Sequence, residues 1–188
     1  MQEEYEKIIE EKERIINEYK KKVALLETQL EYYKKAACID PLTKLYNRRA
    51  ISYTSDCSSV IMADIDYFKR INDKYGHEKG DEVLESIGEI FQNNVRNTDR
   101  VCRWGGEEFA IFLKSCDLEA ALAKAMVLRE KVSQLNEKFE FNITMSFGVT
   151  DAKEKNVNEA IREADQAMYE SKKNGRDRVT IYTPKLEL

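Results

Sequence analysis

The first 37 residues contain neither glycine nor proline, and their apolar side chains recur every seven positions. With position a of the heptad at 9, 16, 23, 30 and 37, the a residues are Ile9, Ile16, Val23, Leu30 and Ala37. The d residues are then Tyr5, Lys12, Tyr19, Leu26 and Tyr33, and only Lys12 interrupts the seam. A seam sustained over about five heptads predicts a coiled-coil helix. The β-branched Ile9, Ile16 and Val23 at a favour a parallel dimer, and Ile8 and Ile15 at g widen the stripe. The competing reading is an amphipathic helix packed on its own domain. Nine acidic and eight basic residues fall in this stretch. A helix of this kind is stiff, rising about 1.5 Å per residue, so it can carry a rotation or register shift from an upstream module.

The other 151 residues hold all seven glycines and both prolines. A chain of 188 residues therefore reads as residues 1–37, a dimerisation and signalling helix, followed by one domain over residues 38–188. So few breakers argue against a sandwich or barrel of many short strands. The net charge of −4 gives no reason to expect a general nucleic-acid binder. Cys38, Cys57, Cys102 and Cys116 form no C-x-x-C pair, which excludes a zinc site of that type and a disulfide scaffold. A reducing, cytoplasmic setting is expected. No stretch reaches 18 apolar residues and the N-terminus has no apolar signal core, so no membrane span is expected.

Within the domain, Pro41 ends the first helix, and Asp40 or Thr43 is placed to cap a new short one. Ser59–Ala63 leads into Asp64-Ile65-Asp66 as a buried strand. A short helical segment ends at Gly76, and helical periodicity runs from Asp81 to Asn93. Arg100–Trp104 and Phe109–Lys114 read as a hairpin around Gly105-Gly106. A helix capped by Asp117 runs towards Asn136, and Phe141–Thr150 alternates as a strand. Val157–Lys173 is a helix closed by Asn174-Gly175, and Arg178–Tyr182 is a last strand. Helices alternating with strands around an antiparallel hairpin predict an α+β sheet with helices packed on it.

Acids at the end of a buried strand are costly unless a cation or hydrogen bonds offset them. Asp64 and Asp66 stand at such an end, and Glu107 and Glu108 follow the Gly105-Gly106 turn. Extended neighbours point to opposite faces, so both glutamates serve one site only where the backbone turns. If the two strands are neighbours, Asp64 and Glu107 meet, and an all-oxygen cluster of this kind suits Mg²⁺ with substrate phosphates. Each acid alone reads equally as part of a solvated turn.

The order of motifs removes that ambiguity. Arg103-Trp104-Gly105-Gly106-Glu107-Glu108-Phe109 resembles the signature of the GGDEF family, the diguanylate cyclases, in its GGEEF form. Asp64 through Asp81 resembles the family's D-x-D-x-F-K-x-x-N-D-x-x-G-H-x-x-G-D. Asp40-Pro41-Leu42-Thr43-Lys44-Leu45-Tyr46-Asn47-Arg48-Arg49 resembles its opening D-x-L-T-G-L-x-N-R-R, with Lys44 in place of the usual glycine. Lys172-Lys173-Asn174-Gly175-Arg176 resembles its closing K-x-x-G-R. The resemblance covers residues 38–184.

It implies a five-stranded, mainly antiparallel sheet with flanking helices, like nucleotidyl cyclase domains and polymerase palms. It implies condensation of two GTP into cyclic di-GMP with release of two pyrophosphates, by paired domains of a homodimer. By resemblance, Asp64, Glu107 and the carbonyl of Ile65 ligate Mg²⁺, with Mn²⁺ as the alternative ion. Glu107 or Glu108 also helps deprotonate the attacking 3′-hydroxyl. Asn72 and Asp81 match the guanine-reading positions, with helix capping and turn formation as their ordinary roles. His77 is implied as a substrate contact and reads equally as a structural hydrogen bonder in its turn. Lys69, Lys172 and Arg176, with backbone amides at Tyr67 and Phe68, would hold the phosphates. Arg96 and Asp99 match the R-x-x-D product-inhibition site, against the plain alternative of a surface ion pair. Three rivals remain: a receptor for cyclic di-GMP, a purely structural dimerisation protein, and a cyclase or polymerase using a single nucleotide or a template. The retained acids oppose the first, the ordered motifs the second, and the short acidic chain opposes template binding in the third.

Overall fold

The computed structural model describes residues 2–53 and 56–184; positions 1, 54, 55 and 185–188, the last four of the expected second domain, lie outside the described residues. The chain divides into two compact units, Met1–Cys38 and Ile39–Leu188. The first is a single helix, α1 (Gln2–Ala36). Its apolar seam is open: Ile9, Ile16, Val23 and Leu30 are each more than half exposed, as are Tyr5, Tyr19, Leu26 and Tyr33. Exposed Glu11–Arg14 and Glu31–Lys34 pairs, each at 3.0 Å, brace its turns. Each contributes a few tenths of a kcal/mol, about 0.2–0.5.

The second unit is built on a sheet of six strands: β1 (Tyr46–Asn47), β2 (Ser59–Ile65), β3 (Arg100–Arg103), β4 (Glu108–Leu113), β5 (Met145–Asp151) and β6 (Val179–Ile181). Their order is β1-β3-β4-β2-β5-β6. The four inner strands pair antiparallel, while β1 runs parallel to β3 and β6 parallel to β5. The sixth strand, beyond the five expected, is the two-residue β1, too short to carry a period-2 pattern. The expected short helix after Pro41 does not form. Asp40 accepts from the Thr43 amide and hydroxyl, both at 2.8 Å, but caps only a turn that leads into β1. Lys44, where the opening motif has glycine, adopts a left-handed φ of 60° there.

Five helices cover the sheet: α2 (Phe68–Tyr75), α3 (His77–Asn93), α4 (Leu118–Ser133), α5 (Leu135–Phe139) and α6 (Val157–Lys173). Asp117 and Asn156 cap α4 and α6 by accepting the amides of Ala120 and Glu159. The helix expected to reach Asn136 breaks at Gln134, between α4 and α5. The strand expected from Phe141 starts at Met145, because Phe141 instead stacks on Tyr75 with ring centroids 4.3 Å apart.

Alternation along β2 sorts the core. Ile61, Ala63 and Ile65 join Phe68, Val83, Ile87, Phe91 and Leu128 on the α2–α4 side. Val60 and Met62 join Ala110, Phe112, Ala160, Ala164 and Met168 on the α6 side. The same alternation puts Asp64 on the α6 side. Helix α6 lies against β5 because Gly148 has no side chain: a Cβ there would sit 2.0 Å from the Ala164 carbonyl oxygen and 2.2 Å from the Met168 nitrogen. Gly148→Ala is expected to force α6 off the sheet and cost about 3 kcal/mol or more. An unshifted urea midpoint would contradict this. Among the described residues no helix is long and apolar enough to cross a membrane.

Candidate active site

Three elements converge beyond the end of β2. The β2–β4 pairing sets Asp64 opposite Glu108, and the Ile65 amide donates to the Glu107 carbonyl at 3.2 Å. Glu108 opens β4 on the face of Asp64, while Glu107 lies in the four-residue connection where the backbone turns. Helix α6 brings Lys172 in its last turn, with Nζ 2.8 Å from Asp64 Oδ2. Burial pushes the Asp64 carboxyl up to about 6; Lys172 opposes the shift, and the charges of Glu107 and Glu108 add to it. Partial burial also pushes Glu107 up, against Lys172 and with Glu108. This is a site whose negative charge lacks sufficient compensation from the protein alone.

The hairpin glycines act through space rather than backbone conformation, since neither has a positive φ. A Cβ on Gly105 would lie 2.6 Å from Glu108 Oε2, and Gly106 faces open space. Among the described residues no group of three His, Cys, Asp or Glu has the geometry of a complete metal cage. Two carboxylates with a backbone carbonyl fit Mg²⁺, which commonly keeps waters and substrate phosphates as its other ligands.

A second set of residues lies around α2. Asn72 sits inside that helix and Asp81 inside α3, so neither caps a helix. Asn72 Oδ1 is buried and has no hydrogen-bond donor among the described residues. It lies over Gly80, where a Cβ would be 1.9 Å away. Asp81 and His77 are exposed, and neither makes a side-chain hydrogen bond among the described residues. Tyr67, at a left-handed φ of 56°, precedes the N-terminus of α2, where Phe68 begins the helix. The Arg176 and Arg70 guanidinium carbons stand 4.2 and 4.4 Å from the centre of the Tyr67 ring. Lys69 is exposed and makes no ion pair among the described residues.

Arg96 and Asp99 lie in the turn before β3. Asp99 is buried and accepts from the Arg96 amide at 3.0 Å and the Lys114 amide at 3.1 Å. The Arg96 side chain is exposed, and the surface ion pair between these two residues does not form.

Residues 37–178 match the family described as "Diguanylate cyclase, GGDEF domain". The chain belongs to the GGDEF family. It is 39% identical over 142 residues to diguanylate cyclase A of Treponema denticola, covering 73% of this chain and 38% of that protein. It is 36% identical over 168 residues to the probable diguanylate cyclase DgcT of Escherichia coli, covering 81% of this chain and 37% of that one. The chain thus spans less than two fifths of the length of these curated relatives. Among solved structures it resembles the coiled coil and GGDEF domain of DgcB from Caulobacter crescentus in complex with c-di-GMP. There the TM-score is 0.73 and the identity 28%, covering 90% of this chain and 98% of that one. It also resembles the active GGEEF domain of a diguanylate cyclase from Vibrio cholerae, at TM-score 0.70 and 33% identity, covering 75% of this chain and 99% of that one.

Two supports of this GGDEF site carry no role in the sequence reading. Asp66, although two residues from Asp64, does not join the acids. It is buried and accepts from Thr144 Oγ1 (2.8 Å), Ser146 Oγ (2.7 Å) and the Asp177 amide (3.0 Å). It thereby ties the loop after α6 to β2 and β5, and Arg129 grips the same loop through Asp177 at 2.7 Å. The left-handed φ values of Arg176 and Asp177, 64° and 45°, are held between those contacts. The second support is Arg103, which donates to the Gly106 carbonyl at 2.8 Å and pairs with Asp40 at 3.3 Å. Burial penalises the Asp40 charge, yet Thr43 and Arg103 outweigh it and hold that carboxyl below the usual range. Both residues stand in the recognised motifs, which was the available signal; their partners are 111 and 63 positions away.

Proposed function

We propose that the chain is a diguanylate cyclase that condenses two GTP into cyclic di-GMP, releasing two pyrophosphates, between the domains of a homodimer. The observation that carries this reading is buried Asp64, facing the glutamates of the glycine turn with its charge opposed by burial. Asp64, Glu107 and the Ile65 carbonyl would hold Mg²⁺ or Mn²⁺, which when bound stabilises charge on the α-phosphate. Glu107 or Glu108 accepts the proton of the attacking 3′-hydroxyl. The Asn72 amide, whose oxygen has no donor among the described residues, and the Asp81 carboxylate pair with the O6 and N1/N2 edge of guanine, a pattern adenine lacks. His77 stands beside them at the start of α3 as a further polar contact.

Lys69, Lys172 and Arg176 take the phosphates, with the first amides of α2 around Tyr67 and Phe68, which have no intrahelical acceptor. A depression of about 430 Å³ beside Tyr67, lined by Arg70, Lys74 and Arg176 together with Asp66 and Asp177, lies at this end of the site. Residues 1–37 pair with a second copy as a parallel coiled coil, burying the open seam and holding two domains 38–188 at high effective concentration. Incubation with GTP and Mg²⁺, followed by nucleotide chromatography, is expected to yield cyclic di-GMP. No product from either wild type or Arg96→Ala would refute the enzyme reading.

Arg96 and Asp99 form the inhibitory product site in this reading. The exposed Arg96 guanidinium reads guanine or phosphate, and Asp99 keeps lone pairs beyond the two amides it accepts. Arg96→Ala should raise product yield by relieving inhibition, and an inhibition curve unchanged from wild type would exclude the role.

A further inference from the structure

The three lysine and arginine side chains assigned to the phosphates are in unlike states. Lys69 is exposed without an ion-pair partner among the described residues, and Arg176 rests on the Tyr67 ring. Lys172 alone is already engaged, with its ammonium 2.8 Å from Asp64 Oδ2. The Asp64 side chain is only 7% exposed and has no other hydrogen-bond donor among the described residues. Lys172 therefore occupies one of the two carboxylate oxygens that a metal ion would use. The Lys172 charge also acts on Glu107, the other carboxylate of the site.

We infer that Lys172 is the resident counter-cation of the acid pair: it competes with a divalent ion for Asp64 and releases it when a nucleotide phosphate draws the ammonium away. The inference rests on the metal and phosphate roles proposed above. Two cations on one carboxylate repel each other at contact distance, so the ion and the ammonium compete for Asp64. Lysine is suited to being displaced. Its charge is a compact head on a flexible four-carbon stem, and the Lys172 side chain is 31% exposed at the end of α6. The head can therefore swing while the helix, seated on Gly148, stays in place. Phosphate oxygens offer the ammonium an alternative anion, so nucleotide removes the competitor at the moment it supplies further ligands. By linkage, metal and nucleotide then strengthen each other's binding. In the absence of nucleotide the lysine partly offsets the charge of the acids and keeps the metal weakly held.

The test is Mn²⁺ titration of the full chain by electron paramagnetic resonance, without nucleotide, on wild type, Lys172→Gln, Lys172→Arg and Asp64→Asn. Lys172→Gln is expected to bind Mn²⁺ about tenfold more tightly than wild type, a coupling of ordinary size. Lys172→Arg, which keeps the charge, should stay near wild type, and Asp64→Asn should lose the site. Adding a GTP analogue with an α,β-methylene bridge should tighten Mn²⁺ binding by a larger factor in wild type than in Lys172→Gln. Asp64-dependent binding that Lys172→Gln leaves unchanged or weakens would overturn the inference while leaving the proposed function standing. Equal tightening by Lys172→Gln and Lys172→Arg would overturn it too, because charge would not be the cause. Mn²⁺ binding that never depends on Asp64, even with the analogue present, would overturn both this inference and the metal site on which it rests.

Discussion

Glu107→Ala is expected to lose about a thousandfold or more of the cyclisation rate, the scale on which removing a charge-stabilising group acts. The same substitution should leave the metal-free protein folded and no less stable. Glu107 is not part of either core cluster, and its charge adds to the difficulty of ionising Asp64. Removing it relieves a repulsion that folding has to overcome. Turnover and thermal unfolding in EDTA, measured on one preparation, therefore separate the two effects. Full activity would remove Glu107 from the metal site; a large drop in melting temperature would make it a structural residue instead.

Removal of residues 1–37 should make activity depend steeply on protein concentration. In the proposed reaction two half-reactions need two facing domains, and a paired coiled coil would raise their mutual concentration to about the millimolar range. At dilute protein the truncated chain is expected to lose about a hundredfold of activity, recovering as its concentration rises. Insertions in the helix add a geometric reading. One to six inserted residues rotate the seam out of phase, and seven restore it, so turnover should fall and return with that period. Sedimentation reports whether the dimer persists. Unchanged turnover throughout the insertion series would sink control by helix register, and a truncated chain equally active at every concentration would sink the tethering role.

Much of the fold was legible because local signals and long-range order agreed. Val157–Lys173 was bounded correctly, its end by the Asn174-Gly175 stop, a local device. The β2 strand and the hairpin carried their own periodicity and turn. Elements whose extent depends on distant contacts were drawn wrongly. Phe141 left its strand for the ring of Tyr75, and the Asp40 turn was read as a helix start. For the site, the identity of the acids and of Asn72, Asp81, Lys172 and Arg176 came from ordered motifs. Their pairings did not.

The two aspartates of Asp64-Ile65-Asp66 mark the division. The sequence alone determined that costly acids end a buried strand, that two glutamates follow a glycine turn, and that an apolar seam runs through a charge-rich stretch of 37 residues. It could do so because periodicity, breakers and motif spacing are local properties of the chain. Only the tertiary structure decided that Asp64 meets Glu108 and Lys172 while Asp66 is taken up by Thr144, Ser146 and the Asp177 amide. Those outcomes depend on strand register and on how near α6 approaches the sheet over Gly148. Both are set by packing between separate segments, and the Lys172 and Asp177 contacts they produce join positions more than 100 apart, beyond the reach of any window of sequence.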